Sequence, residues 1–456
     1  MLDTPWIIAW YIFLLAAVWM FQRLTQCLTR LNIFSLFVFF LVLRHGVTVP
    51  FDHTTNIWFA GIYVSDDALQ HFYWALLLMY GGLLLGIFLG QYAFGSGKID
   101  LRIFQAAMNA RRLPGGVNWF VFVAVLAVVV GLIAATQLRT DVSLTDLLSG
   151  VFSSEEYRAL RDDYGQATNF SNSWLLRFAS IARFGLLPFL IYTLFFLKDR
   201  SWIWRAAFIF VTGLGLVVGV LSGEKSPALY LLIGLVVAFY LRKGWARLSP
   251  LDWRIWSLTA LGLFAVLPYL YRLQYPTLGY EQVLQSALYR LTSEYNRSLQ
   301  LYFEIYPNIQ PHLYGLSSSL INSILGTNMP ADMLPERFIP VYYLGPQYLH
   351  TWNAAYVGAA WADFGFIGIM LESIFVGLLL QGYAHWFSRA RKTALVMGLQ
   401  VTLMMAVTKL SEATFTASLL SFGLGSTFLL YLLLKSYSIK PQVLRQAIYE
   451  NFANRS

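Results

Sequence analysis

Residues 72–94 read FYWALLLMYGGLLLGIFLGQYAF, a stretch that contains no charged side chain. An α-helix of this length is about 35 Å long, so it can cross the roughly 30 Å of hydrocarbon in a bilayer. A helix also satisfies its own backbone hydrogen bonds within one segment, as lipid requires. This stretch therefore predicts a transmembrane helix.

The composition extends this prediction to the whole chain. Of 456 residues, 58% are hydrophobic and only 12% are charged, with a mean hydropathy of +0.58. Soluble domains are typically about a quarter charged. We therefore expect an all-α, polytopic membrane protein that forms a single membrane domain over residues 1–456. The single cysteine, Cys27, excludes an intramolecular disulfide, and the scattered histidines lack metal-ligand spacing, so we expect neither a metal nor another cofactor.

Further apolar windows follow one another along the chain and predict about eleven transmembrane helices, with ten or twelve also compatible with the pattern. The windows cover residues 6–21, 31–43, 72–94, 117–136, 178–197, 206–221, 228–241, 255–270, 354–387, 394–408 and 416–434.

The distribution of Lys and Arg predicts the orientation. Six alternate connections, near residues 23–30, 98–112, 198–205, 242–254, 389–392 and 435–455, are dense in both residues. The other connections hold fewer and are much longer. By the positive-inside rule the dense set is cytoplasmic, which places the amino terminus outside and the carboxyl terminus in the cytoplasm. The net charge of +9 is then mostly a matter of topology, and nucleic acid is not an expected partner.

This orientation predicts two long loops on the non-cytoplasmic side, over residues 137–177 and 271–353. The second carries Arg272, Arg290, Arg297 and Arg337. Outward guanidinium groups suit the binding of anions, because their planar fork matches pairs of oxygen atoms.

Apolar residues recur every three or four positions from 281 to 303, which predicts an interfacial helix. Arg290, Glu294 and Arg297 share one face of it. They form either an ion-pair ladder on a surface helix or a face turned toward a lipid-linked phosphate. In the turn at residues 222–227, Lys225 is likewise either a topological lysine at the interface or a contact to a ligand.

At the end of the large loop the sequence resembles a known family. His350-Thr351-Trp352-Asn353-Ala354-Ala355-Tyr356 and Ala362-Asp363-Phe364-Gly365-Phe366-Ile367-Gly368 are similar to the segment and the acidic-x-Gly-x-x-Gly helix that follow the periplasmic loop of O-antigen polymerases (Wzy type) and O-antigen ligases. The turn at residues 222–226 is similar to the Ser-Arg-Gly segment of that superfamily, with Lys225 in place of arginine.

The resemblance implies a GT-C-like membrane glycosyltransferase in the bacterial inner membrane. It implies a repeat-unit polymerase of O-antigen or exopolysaccharide, which moves glycan from undecaprenyl diphosphate to a lipid-linked repeat unit without metal or cofactor. Expected partners are that lipid-linked oligosaccharide, membrane lipids, a chain-length regulator and a flippase.

The reaction needs a general base and cations for the diphosphate. The base predicted from the resemblance is His350, and the competing carboxylates on the same loop are Glu294, Asp332 and Glu336. Groups expected to bind the diphosphate or substrate are Arg290, Arg297, Arg272, Arg337, Lys225 and Asn353. Asp363 is expected to have a polar role in the helix bundle or to pack helices through hydrogen bonds.

Two other functions stay open. An O-antigen ligase is one, although Trp352 stands where ligases usually have a histidine directly before the asparagine. A flippase or transporter of lipid-linked sugars is the other, although such proteins tend to show internal repeats, and none is evident.

Overall fold

In the part of the chain that it describes, the computed structural model is all-helical. It describes residues 4–51, 62–96, 104, 108, 117–137, 178, 180–197, 202–221, 225–244, 279–318, 321–322, 327, 330, 333–345 and 351–437. The described helices are α1 (Thr4–Thr25), α2 (Ile33–His45), α3 (Asp66–Phe94), α4 (Trp119–Gln137), α5 (Leu187–Phe196), α6 (Trp202–Leu221), α7 (Lys225–Arg242), α8 (Tyr280–Thr292), α9 (Glu294–Ile305), α10 (Pro335–Leu344), α11 (Ala355–Arg389), α12 (Ala394–Ala406), α13 (Phe415–Leu420) and α14 (Ser426–Ser436).

Five of these elements are long and apolar enough to cross a membrane, which supports a membrane-embedded protein. They are Pro5–Thr25, Asp66–Phe94, Trp202–Gly219, Ala355–Arg389 and Ala394–Ser411. Five shorter apolar helices occupy further predicted windows, at Ile33–His45, Trp119–Ala135, Ala182–Phe196, Pro227–Arg242 and Ser426–Ser436. The window at residues 255–270 lies outside the described residues, so the count of about eleven stays a prediction.

Helices α3 and α11 pack closely through small residues. A Cβ atom built on Gly86 would lie 2.1 Å from the carbonyl oxygen of Ile374, and one on Gly377 would lie 2.5 Å from that of Leu83. Gly82 faces Ser373 and Gly90 faces Gln381 in the same way. Residue numbers rise together on both helices, so they run parallel and begin at the same end of the bundle. Small residues four apart allow this approach of two backbones in lipid.

The described connections next to α1, α2 and α3 lie at opposite ends of the bundle. At one end, Trp10 donates to the carbonyl of Gly46 (2.8 Å) and Thr48 to that of Thr292 (3.2 Å). We call this the loop end, because it holds α8, α9 and α10. At the other end, Gln91 donates to the carbonyl of Leu24 (2.6 Å). This separation is what the predicted alternation of crossings requires, and the loop end is the one predicted to be extracytoplasmic.

Helix α11 bends sharply near the loop end. Gly365 has φ of 62° and ψ of −145°, a backbone conformation that residues other than glycine rarely adopt. The neighbouring loop covers the break. The backbone N–H groups of Leu313 and Tyr314 donate to the carbonyls of residues 362 and 363, at 2.8 and 3.1 Å. Where a membrane helix is irregular, its backbone polar groups need hydrogen-bond partners of this kind within the protein.

Asp363 fastens the same loop with its side chain. Its two carboxylate oxygens accept from the backbone N–H (2.9 Å) and the hydroxyl (2.6 Å) of Ser317. Of the two roles expected for Asp363, these contacts favour the packing of elements through hydrogen bonds.

The segment predicted as one interfacial helix over residues 281–303 consists of two helices, α8 and α9, with Ser293 between them at φ −112° and ψ −24°. Helix α9 buries Leu299, Tyr302 and Phe303 against the bundle. The loop at residues 137–177 lies outside the described residues from residue 138 onward.

Candidate functional site

The charged residues predicted on the interfacial helix have partners of their own. Arg290 Nε donates to Glu294 Oε2 over 2.8 Å, and both side chains are partly exposed to solvent. Arg297 instead donates to Gln300 Oε1 (2.9 Å) and to the carbonyl of Ile62 (2.6 Å). The two guanidinium groups are therefore held by different neighbours, and the ion-pair interpretation accounts for the Arg290–Glu294 contact.

Several predicted site residues lie outside the described part of the chain. These are His350, Asp332, Arg272 and the side chain of Lys225, so their assigned roles stay predictions. Among the described ones, Asn353 is exposed and Arg337 is partly buried.

Glu336 is the predicted carboxylate with the most unusual surroundings. It lies in the first turn of α10, and its Oε2 atom is buried with no hydrogen-bond partner among the described residues. Burial raises the pKa of Glu336, and the nearby Asp363 carboxylate adds to this rise, while its own backbone N–H and Arg337 oppose it. A carboxyl group with a raised pKa is a more effective proton acceptor when it is ionised.

The segment 351–355, which carries the family-like sequence, ties Glu336 to the bundle. The backbone N–H of Trp352 donates to the carbonyl of Glu336 (2.8 Å), and the Tyr302 hydroxyl donates to the carbonyl of Trp352 (3.2 Å). Three residues later, the N–H of Ala355 donates to the carbonyl of Glu412 (3.2 Å). Ala355 has φ of 54°, in the left-handed region that disfavours alanine. Backbone strain of this kind is common at functional sites.

A group of buried charges surrounds Glu412. Its carboxylate forms ion pairs with Arg44 and with Lys409 Nζ (2.5 Å), and it accepts a short hydrogen bond from the Tyr230 hydroxyl. Arg44 Nη1 also donates to Ser411 Oγ over 2.6 Å. We call these five residues the Arg44 cluster. They come from α2, α7 and the turn after α12, and they meet at the loop end.

The Arg44 cluster has more positive than negative charge. Arg44, Lys409 and Glu412 are 3%, 6% and 7% exposed, so two cations share one carboxylate away from water. Arg44 Nε is buried and has no hydrogen-bond partner among the described residues. Buried charges are normally paired or bound to a ligand. The excess of positive charge therefore suits an anion.

Aromatic rings and a histidine hold the cluster in place. The guanidinium carbon of Arg44 lies 5.0 Å from the Tyr295 ring centre, and Lys409 Nζ lies 4.1 Å from that of Tyr230. His45 contacts Asn296 Oδ1 (2.6 Å) and the carbonyl of Ser411 (3.0 Å). Since Tyr295 and Asn296 belong to α9, the large loop is fastened directly onto the cluster.

Segment 351–355 connects Glu336 to the turn that carries Glu412 through its backbone N–H groups. Trp352 and Ala355 are three positions apart, which is at most about 11 Å of chain. The backbone of this short segment thus links the helix that carries Glu336 to the turn that carries Lys409 and Glu412. A transfer from an anionic leaving group to a hydroxyl needs both a proton acceptor and a cationic region.

Sequence reasoning missed the Arg44 cluster as a site. Arg44 and Lys409 lie in the connections with fewer basic residues, and no role was predicted for them or for Glu412. A signal was present, because Lys409 and Glu412 stand three residues apart directly after an apolar window. Charged residues within a membrane segment tend to face the interior of the bundle and to be functional.

Comparisons with known proteins identify no relative. No family model matches the chain, and no curated protein or solved structure is significantly similar to it.

Proposed function

We propose that this protein is a polymerase of a bacterial extracytoplasmic polysaccharide such as an O-antigen. It transfers a growing glycan from undecaprenyl diphosphate to a lipid-linked repeat unit on the outer face of the inner membrane. The observation that carries this proposal is the Arg44 cluster, a buried site with excess positive charge beside the segment that resembles this family.

The cationic groups suit the leaving group of the reaction. When the anomeric carbon is attacked, its bond to the diphosphate oxygen breaks and negative charge develops on the departing diphosphate. Arg44 and Lys409 are already desolvated and oriented by Glu412, so little reorganisation is needed to stabilise that charge.

Glu336 suits the other half of the reaction. An acceptor hydroxyl forms the new bond to the anomeric carbon and loses its proton, which Glu336 Oε2 can accept. Among the four predicted bases, Glu336 is the one with a buried carboxylate oxygen left without a hydrogen-bond partner in the described structure. Glu294 is occupied by Arg290 at the surface.

The glycan made by a strain that lacks this gene tests the function. Single repeat units attached to the lipid anchor are expected for a polymerase. Absence of any attached glycan would instead indicate a ligase or a flippase, and normal long chains would refute all three.

A substitution in the cluster tests the site. Lys409→Met leaves Arg44 and Glu412 as a neutral pair, so the fold should persist. A hydrogen bond to a charged group contributes roughly 1.5–3 kcal/mol, which predicts about 10- to 150-fold slower polymerisation. Lys243→Met, at the opposite end of the bundle, is the matched control and should polymerise normally. Equal rates for the two variants would remove Lys409 from the site.

A further inference from the structure

Tyr306 is fully buried, yet its hydroxyl has no hydrogen-bond partner among the described residues. Its backbone is held on both sides. The N–H of Tyr306 donates to the carbonyl of Tyr302 (2.9 Å), and its carbonyl accepts from Trp361 Nε1 (2.9 Å). The ring is therefore placed firmly while its polar atom is unused. Burying a hydroxyl without a partner costs stability, so such a group calls for an explanation.

Two carboxyl groups lie near this hydroxyl. Burial raises the pKa of Tyr306 well above its usual value, and the carboxylates of Glu336 and Asp363 raise it further. Glu336 Oε2 is itself buried and without a partner. The Asp363 carboxylate, in contrast, is occupied by Ser317. Each of the two residues thus has one buried polar atom without a partner among the described residues, and the two side chains are near enough to interact electrostatically.

We infer that Tyr306 and Glu336 together form the subsite for the acceptor, a neutral sugar hydroxyl. This inference rests on the proposed function and assigns Tyr306 a direct contact with substrate. The sugar hydroxyl donates to Glu336 Oε2 and accepts from the Tyr306 hydroxyl. Its lone pair remains for attack on the anomeric carbon. The donor diphosphate binds at the Arg44 cluster, which holds the excess of positive charge.

A measurement without ligand tests whether the Tyr306 hydroxyl lacks a hydrogen-bond partner in the free protein. The melting temperature of the purified full-length chain can be followed with a thiol-reactive dye, because Cys27 is buried and free. Tyr306→Phe removes an unpartnered polar atom and should raise the melting temperature. Tyr302→Phe is the matched control one helical turn earlier. It loses a bond to the carbonyl of Trp352 and should lower the melting temperature. A level or lower value for Tyr306→Phe would show a structural role and overturn the inference.

A binding measurement tests the assignment to the acceptor. The probe is the labelled lipid-linked single repeat unit extracted from the gene-deleted strain. Loss of one neutral hydrogen bond predicts about 2- to 10-fold weaker binding by Tyr306→Phe, with a raised KM for this acceptor. If single units accumulate in the deleted strain but Tyr306→Phe binds and elongates them like wild type, the inference fails and the proposed function stands. If no single units accumulate, the proposed function itself fails.

Discussion

Glu412→Ala gives the most direct test of the Arg44 cluster. The substitution leaves Arg44 and Lys409 buried at 3% and 6% exposure without their shared carboxylate. Removing one partner of a buried ion pair typically costs about 3–5 kcal/mol, because an uncompensated charge stays in a medium of low dielectric. Two cations lose their partner here, so we expect the upper part of that range.

Glu294→Ala is the matched control for this change. Glu294 also has an arginine partner at 2.8 Å, but its side chain is 25% exposed and that of Arg290 is 42% exposed. Exposed pairs contribute about 0–1 kcal/mol, since water screens both charges. The same glutamate-to-alanine change should therefore be nearly neutral on α9 and strongly destabilising at the cluster.

A second substitution separates charge from packing. In Glu412→Ala/Lys409→Met one buried cation remains instead of two, so part of the lost stability should return. If Glu412 stabilised the fold only through its packing, the loss of stability would be the same with and without Lys409.

Thermal unfolding in detergent, reported by labelling of the buried Cys27, measures all of these variants. The expected order of melting temperature is wild type, closely followed by Glu294→Ala, then the double variant, then Glu412→Ala. Equal, small shifts for both single variants would refute the cluster as a desolvated charge site. The anion-binding argument would then lose its basis.

Three further predictions concern the fold, the base and the orientation. Gly86→Ala should lower the melting temperature by overpacking against the Ile374 carbonyl, at a cost of about 1–3 kcal/mol. Gly81→Ala is the control and should be neutral or stabilising, because a Cβ atom there has nothing within 4 Å. Equal effects of the two substitutions would argue against close packing of α3 and α11. Polymer formation in membranes should fall as the pH drops through the raised pKa of Glu336, since only the ionised carboxylate accepts a proton. The midpoint of this fall should lie above the ordinary pKa of 4.5. If Glu336→Gln left the pH profile unchanged, Glu336 would not be the base. In a variant without Cys27, a membrane-impermeant thiol reagent should label a cysteine placed at the exposed position of Gln285 in intact spheroplasts. A cysteine placed at the exposed position of Thr29 should be labelled only after lysis, and the reverse result would invert the orientation.

The resemblance singled out one region of the chain without defining its contacts. Segment 350–356 was singled out for His350, which lies outside the described residues. The backbone N–H groups of Trp352 and Ala355 donate to the carbonyls of Glu336 and Glu412, which joins α10 to the turn after α12. Both partners are remote in sequence, so no local pattern could reveal them. The break at Ser293 was missed because apolar spacing continues on both sides of it.

What the sequence determined by itself is the membrane character, the helical class and the alternation of basic and long connections. Each depends on a local or summed property, namely transfer of apolar side chains into lipid, backbone hydrogen bonding within a helix, and the charge of each connection. Only the tertiary structure decided which polar groups meet. Arg44 and Glu412, which form a buried ion pair, lie 368 positions apart in the chain. Desolvation of such groups arises from the packing of remote helices against one another, a property that no single segment of the chain contains.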